Sequence, residues 1–121
     1  MAMAEGIMKR LSDIKQERQW ISGEIDFLNK RVDDFKRRIQ RVEAEISHLQ
    51  EIQDAVSNSE DRSSNRLAGL MRERRRHLVE MQYALPSVYE ELKRLETGLI
   101  HLQEEAHELH INLSFTTMSI S

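Results

Sequence analysis

A heptad repeat in the first half of the chain decides the fold. Residues 25–49 read IDFLNKRVDDFKRRIQRVEAEISHL, and an apolar residue recurs there at alternating steps of three and four. This spacing averages about 3.5 residues, which keeps one narrow apolar stripe against a partner only when α-helices supercoil with a left hand. The stretch therefore predicts a coiled-coil helix, and we call its apolar stripe the seam.

The seam extends in both directions and returns in the second half of the chain. It predicts one helix over about residues 5–56 and a second over about residues 66–110. The seam positions are Ile7, Leu11, Ile14, Arg18, Ile21, Ile25, Leu28, Val32, Phe35, Ile39, Val42, Ile46 and Leu49, then Leu67, Met71, Arg74, Leu78, Met81, Leu85, Val88, Leu92, Leu95, Leu99, Leu102, Ala106, Leu109 and Leu113. All of these residues are apolar except the two arginines.

The segment between the two helices predicts a turn. Residues 57–65 contain no large apolar residue, and their Ser, Asn and Asp side chains compete with the helical backbone for hydrogen bonds. If the chain reverses there, facing seam residues have numbers with a constant sum. Leu28 and Leu92 add to 120, as do Ile39 and Met81, which centres the turn on Glu60. The fold class expected is all-α, a long antiparallel helical hairpin; the alternative is an exchanged dimer in which these residues meet across two chains.

Charges beside the seam favour the hairpin over parallel self-pairing of the first helix. In a parallel pair, Arg10 would face Lys15 of the other copy. In the hairpin only Glu17 and Glu105 repel. The attractive pairs that the hairpin predicts are Arg31 with Glu91, Glu43 with Arg75, and Glu45 with His77. Each exposed pair is worth under about 1 kcal/mol, so these charges select the register more than they supply stability.

Pro86 conflicts with a continuous second helix. A proline inside a helix removes a backbone hydrogen bond and crowds the preceding turn, at a cost of roughly 3 kcal/mol. The heptad phase nevertheless continues from Leu85 to Val88, which predicts a bend in one helix. The alternative is a three-helix bundle in which Pro86 begins the third helix.

The C-terminal segment departs from the heptad pattern. Residues 111–121 read INLSFTTMSIS, in which apolar and small polar residues alternate without any charge. A period of two indicates a strand, although a lone strand has no sheet to join within this chain. We expect either a frayed tail or a segment that adds to a partner's sheet or to a second copy.

Composition argues against an enzyme. The chain of 121 residues has 5% aromatic residues, 4 Gly, 1 Pro and no Cys, which does not fit a sandwich, a barrel or a βαβ enzyme. The sequence shows no glycine-rich phosphate loop and no nucleophile elbow, and a two-helix rod offers no shielded concave site. We therefore expect no catalytic residues and no cofactor.

Two Glu-x-x-His sequences raise the question of a metal site. Di-iron carboxylate bundles use this spacing to aim their ligands inward. Glu104 and His107 fall at outer heptad positions, His48 also faces outward from its place after Glu45, and the two motifs lie near opposite ends of the hairpin. A further surface set is His101, Glu105, His107 and His110. The expectation is that none of these is a functional metal site.

Charge is distributed unevenly along the chain. Residues 30–76 hold 12 basic and 9 acidic residues, a net charge of +3, whereas the remainder holds 6 basic and 12 acidic residues, a net charge of −6. The arginines that best fit a phosphate or an acidic partner lie in segments 30–41 and 72–76, and they are Arg37, Arg38, Arg41, Arg72, Arg75 and Arg76. Because acids are interleaved and no aromatic stacking platform accompanies them, an ionic docking surface is favoured over nucleic acid.

Two aromatic residues outside the seam predict an interface. Trp20 and Phe27 lie one heptad apart at an outward position, with Gly23 between them and Gly98 of the second helix offering little cover. Large apolar side chains aligned in this way usually contact another helix. Ile100 and Phe115 complete the residues predicted at this protein interface. We expect hairpins to associate there into a four-helix assembly, or to bind a partner helix.

These patterns favour a non-enzymatic interaction protein, such as an adaptor, a scaffold or a small assembly subunit. The alternatives are a nucleic-acid-associated protein that uses the basic segments, and a small inhibitor or chaperone that caps a partner's helices. The sequence shows neither an export signal nor a membrane-spanning run, so an intracellular, cytoplasmic protein is expected.

Overall fold

Two α-helices pack against each other as an antiparallel hairpin. The computed structural model describes residues 2–56 and 62–120, together with the side chains of 3–56 and 65–118. Helix α1 runs over Ala2–Val56 and helix α2 over Arg62–Ile120. The predicted all-α hairpin is confirmed, and its association into a four-helix assembly stays a prediction. The expected turn centre, Glu60, lies outside the described residues.

The predicted seam is the core. Every apolar seam residue is buried or half-buried, whereas Arg18 and Arg74 are exposed. Among the described side chains, the buried ones are all seam members, namely Ile14, Leu28, Val32, Val42, Met71, Met81, Leu92 and Ala106. A two-helix seam buries only one stripe of each helix. Large side chains outside it consequently remain in water.

The hairpin divides into two compact units, each with parts of both helices. The first unit contains residues 2–29 and 90–120, and its buried core residues are Ile14, Leu28, Leu92 and Ala106. The second unit contains residues 30–89, with Val32, Val42, Met71 and Met81 buried. The prediction that the chain is a single coiled-coil domain stays a prediction.

Helix α2 begins earlier than the sequence indicated. The predicted loop extended over residues 57–65, but residues 62–65 are already helical. The first backbone amides of a helix have no intrahelical acceptor, so Ser and Asn cost little in a first turn. The prediction for 57–61 lies outside the described residues.

The predicted strand-like or frayed tail is wrong, because α2 continues to Ile120. The hydroxyls of Thr116 and Thr117 donate 2.8 Å hydrogen bonds to the carbonyl oxygens of Asn112 and Leu113, four residues earlier. The heptad phase also continues through Leu113, Thr116 and Ile120, and Thr116 is half-buried. An unpaired strand would leave these backbone groups without partners, and the helix satisfies them internally.

Pro86 lies inside α2 and is exposed. The three-helix alternative is therefore wrong for residues 62–120, which form one helix. Leu85 and Val88, on either side of the proline, remain half-buried in the seam. Their apolar burial favours the helix on both sides of the proline. The bend at Pro86 stays a prediction.

Candidate protein-binding face

Trp20 and Phe27 are largely solvent-exposed. The exposed fraction is 64% for Trp20 and 57% for Phe27, although both lie within a helix and only one heptad apart. Residues seven apart on an α-helix lie on the same side of it. The two rings therefore form an aligned apolar surface on α1, and we call it the aromatic face.

Glycines leave the surroundings of this face open. A methyl group added at Gly23, between the two rings in sequence, would meet no atom within 4 Å, and the same holds at Gly98 of α2. Neither glycine has a positive φ, so neither is needed for backbone conformation. Glycine inside a helix costs about 0.5–1 kcal/mol relative to alanine. These positions provide space without a local structural benefit.

An ion-pair network identifies the flank of the hairpin that the aromatic face borders. Arg10 of α1 donates from Nε to a carboxylate oxygen of Glu105 on α2 at 2.8 Å, and from Nη1 to Glu17 at 3.3 Å. Arg10 thus lies between the two carboxylates that the sequence predicted to repel. Glu24 follows Glu17 by one heptad, and Gly98 precedes Glu105 by one heptad, so they share this flank. We call it the Arg10 flank.

The hydrogen bond from Arg10 to Glu105 raises the pKa of the guanidinium. A raised folded-state pKa means that the contribution of Arg10 to stability is complete below its ordinary pKa and is lost only as the pH rises through the raised value. Arg10 therefore introduces no pH dependence near neutrality.

Glu24 is a member of this face that the sequence analysis missed. Its neighbours one turn away on α1 are Trp20 and Phe27, and its side chain is half-buried. Among the described residues it makes neither an ion pair nor a side-chain hydrogen bond. The signal in the sequence was its place beside the seam, three and four residues from the two rings, with no basic residue one turn away on the same helix.

Phe115 and Ile100, which were also predicted at the interface, lie on different flanks of the hairpin. Phe115 is exposed and borders the Arg10 flank, ten residues after Glu105 on α2. Ile100 is exposed beside Gln103 and His107. Gln103 shares an open groove with Lys15 on the opposite flank, so Ile100 does not join the aromatic face.

An open groove on that opposite flank lies beside Arg18, the seam arginine of the first unit. Arg18 lines it together with Leu99, and the remaining lining residues are Lys15, Gln19, Ser22, Gly23, Asp26 and Gln103. An arginine in the seam extends toward water and leaves the neighbouring apolar surface less covered. The groove therefore lies at a seam position that an arginine occupies.

The basic segments lie in the second unit and are exposed. All six arginines predicted to contact phosphate or an acidic partner are exposed, but several already have contacts within the chain. Arg75 donates to the side-chain oxygen of Gln50 at 3.4 Å, and Arg76 lies 3.8 Å from Glu80. Glu45 pairs with Arg74 at 3.2 Å instead of the predicted His77. Arg74 lies one helical turn before His77 on α2, and its longer side chain contacts Glu45.

The described side chains show no group of three or more His, Cys, Asp or Glu residues that could hold a metal ion. Glu104 and His107 share a shallow surface depression on α2 with Ile100. The two Glu-x-x-His sequences lie in different units, Glu45 and His48 in the second and Glu104 and His107 in the first.

Neither helix, over the residues described, has an apolar stretch long enough to span a membrane. Comparison with protein-family models, with curated proteins and with solved structures gave no match for this chain.

Proposed function

We propose that the chain is a non-enzymatic coiled-coil interaction protein that binds another protein helix through its aromatic face, in the manner of an adaptor, a scaffold or an assembly subunit. The observation that carries this proposal is the exposure of Trp20 and Phe27, at 64% and 57%, on one side of α1. Aromatic side chains are enriched among the residues that dominate binding energy at protein interfaces.

Energetics support an interaction role. Removing one large apolar side chain from water contributes roughly 1.5–3 kcal/mol. A hairpin on its own gains this stabilisation only along its seam, because Trp20 and Phe27 remain exposed to water. A docked helix would cover both rings together, and the open position at Gly98 would allow a close approach.

The test is the double variant Trp20→Ala/Phe27→Ala. We expect it to lose partner recovery in affinity purification, or to lower the assembly mass in light scattering, because it removes both rings without touching the seam. Circular dichroism should show nearly unchanged helicity, since alanine has the highest helix propensity.

A matched control comes from the second unit. Val79→Ala/Tyr83→Ala removes two side chains that are also strongly exposed, 61% and 83%, but lie outside the aromatic face. We expect this control to behave like the wild type. If the Trp20→Ala/Phe27→Ala chain keeps the wild-type mass and recovers the same partner, the aromatic face is merely a solvent-exposed surface and the proposal is wrong.

A further inference from the structure

We infer that the helix bound at the aromatic face carries an arginine among aliphatic residues, and that this arginine lies between Trp20 and Phe27 against the carboxylate of Glu24. The inference rests on the proposed function and names the chemistry of the partner. Three features carry it: the unpaired carboxylate, the charges already engaged around it and the properties of the two flanking rings.

Glu24 is the first feature. Its side chain is half-buried, flanked on its own helix by the two exposed rings, and without an ion pair or side-chain hydrogen bond among the described residues. A helix docked on Trp20 and Phe27 would cover the carboxylate as well. Burying an unpaired charge costs several kcal/mol, whereas a cation from the partner would satisfy it.

The hairpin has no arginine left on this flank of the first unit to supply that cation. Arg10 is held by Glu105 at 2.8 Å and by Glu17 at 3.3 Å. Arg94 is 3.2 Å from Glu91 on its own helix. Lys30 and Arg31 lie one turn after Phe27, but Arg31 holds its guanidinium over the Phe35 ring, 5.9 Å from the centroid, and among the described contacts neither residue pairs with Glu24. Glu24 therefore has no cation from the described part of the hairpin. A cationic partner is the complementary one.

Arginine fits the site better than lysine. A planar guanidinium stacks on the face of an indole or phenyl ring and donates two parallel hydrogen bonds to a carboxylate. Lysine is a compact and strongly hydrated point charge that does neither as well. The aliphatic neighbours of the arginine would cover the outer surfaces of Trp20 and Phe27.

A second copy of this chain is a poorer occupant. The symmetric arrangement that places Trp20 of each copy on Phe27 of the other has its twofold axis between positions 23 and 24. That axis brings the two Glu24 carboxylates together in the middle of the contact. Like charges facing each other in a covered interface are unfavourable.

The experiment uses a displayed library of amphipathic helices as the probe. The library has a fixed leucine seam and all other positions randomised, and it is selected on the full chain in five forms: wild type, Glu24→Gln, Glu24→Lys, Trp20→Ala/Phe27→Ala and Asp26→Asn. Asp26→Asn is the matched control, since it removes a carboxylate from the opposite flank of the same helix.

We expect wild type and Asp26→Asn to select helices with an arginine at one fixed position between apolar residues. Glu24→Gln should bind a selected helix at least about tenfold more weakly, as hydrogen bonds between charged groups warrant. Glu24→Lys should select an acidic residue at the same position. Such a charge exchange would not follow from a merely structural effect of the substitution.

The remaining outcomes separate this inference from the proposed function. If the selected helices need Trp20 and Phe27 but show no charge preference, the partner's arginine is wrong, while the aromatic face remains an interface. If the selected helices bind the Trp20→Ala/Phe27→Ala variant equally well, or if the library yields no binder, both the proposed function and the partner's arginine are wrong. A mass of two chains in light scattering that the double variant abolishes identifies a second copy as the occupant and overturns the cationic partner.

Discussion

Replacing Ile14 by alanine is expected to lower the free energy of unfolding by about 2–5 kcal/mol, the range for deleting most of a buried aliphatic side chain. Ile14 is the most completely buried large side chain described, with 1% exposure. The predicted register places it opposite Ala106, so the variant would leave two alanines facing each other. A thin two-helix core has few neighbouring side chains that can move in to fill the space.

Ile100→Ala is the matched control, because it makes the same chemical change in the same unit at a side chain that is 52% exposed. We expect its effect to stay within about 0.5 kcal/mol, as for ordinary surface substitutions. Urea titration followed by circular dichroism measures both variants. Equal losses for Ile14→Ala and Ile100→Ala would mean that the seam is not the core.

Arg18→Leu is expected to raise the free energy of unfolding by about 1–2 kcal/mol through added apolar burial. Arg18 occupies a seam position, is exposed, and makes no ion pair or side-chain hydrogen bond among the described residues. The register places it opposite Leu102, which is half-buried. A leucine there would complete the layer and cover the groove beside Leu99.

Arg74→Leu provides the comparison, since Arg74 is the seam arginine of the second unit. It is paired with Glu45 at 3.2 Å, and both side chains are about half exposed. A pair of this kind is worth at most about 1 kcal/mol, so its loss should offset part of the gain. The same urea titration should rank Arg18→Leu above Arg74→Leu. A destabilised Arg18→Leu chain would show that the arginine contributes to packing or to an unseen contact.

Most of the fold was predictable because the seam is a direct consequence of helix geometry. A repeat that averages about 3.5 residues admits one packing surface per helix, and every apolar member is in fact buried or half-buried. The C-terminal end of α2 was not predictable in the same way. Residues 111–121 alternate like a strand, yet the phase of the seam passes through Thr116 and the threonine hydroxyls bond within the helix.

The candidate site was predictable only in part. Trp20 and Phe27 were identifiable because seven-residue spacing outside the seam fixes their side of the helix. The place of Glu24 between these two residues was also visible in the sequence, but which charges remain unpaired in three dimensions was not. Arg10 could have paired along α1 alone, but it also crosses to Glu105 on α2. The ion pairs that long flexible side chains form depend on three-dimensional geometry, which the spacing of residues in the sequence does not specify.

The antiparallel register can be tested most directly by cross-linking residues 28 and 92. The chain has no native cysteine, so Leu28→Cys/Leu92→Cys introduces a unique pair of thiols. With a short thiol-specific cross-linker at low protein concentration, we predict an intramolecular product with the mass of one chain. Leu28→Cys/Leu102→Cys is the control, because its second thiol lies ten residues away, about 15 Å along the helix, and should not react within the chain. A product with the mass of two chains from the 28 and 92 pair, and none with the mass of one, would contradict the intrachain hairpin.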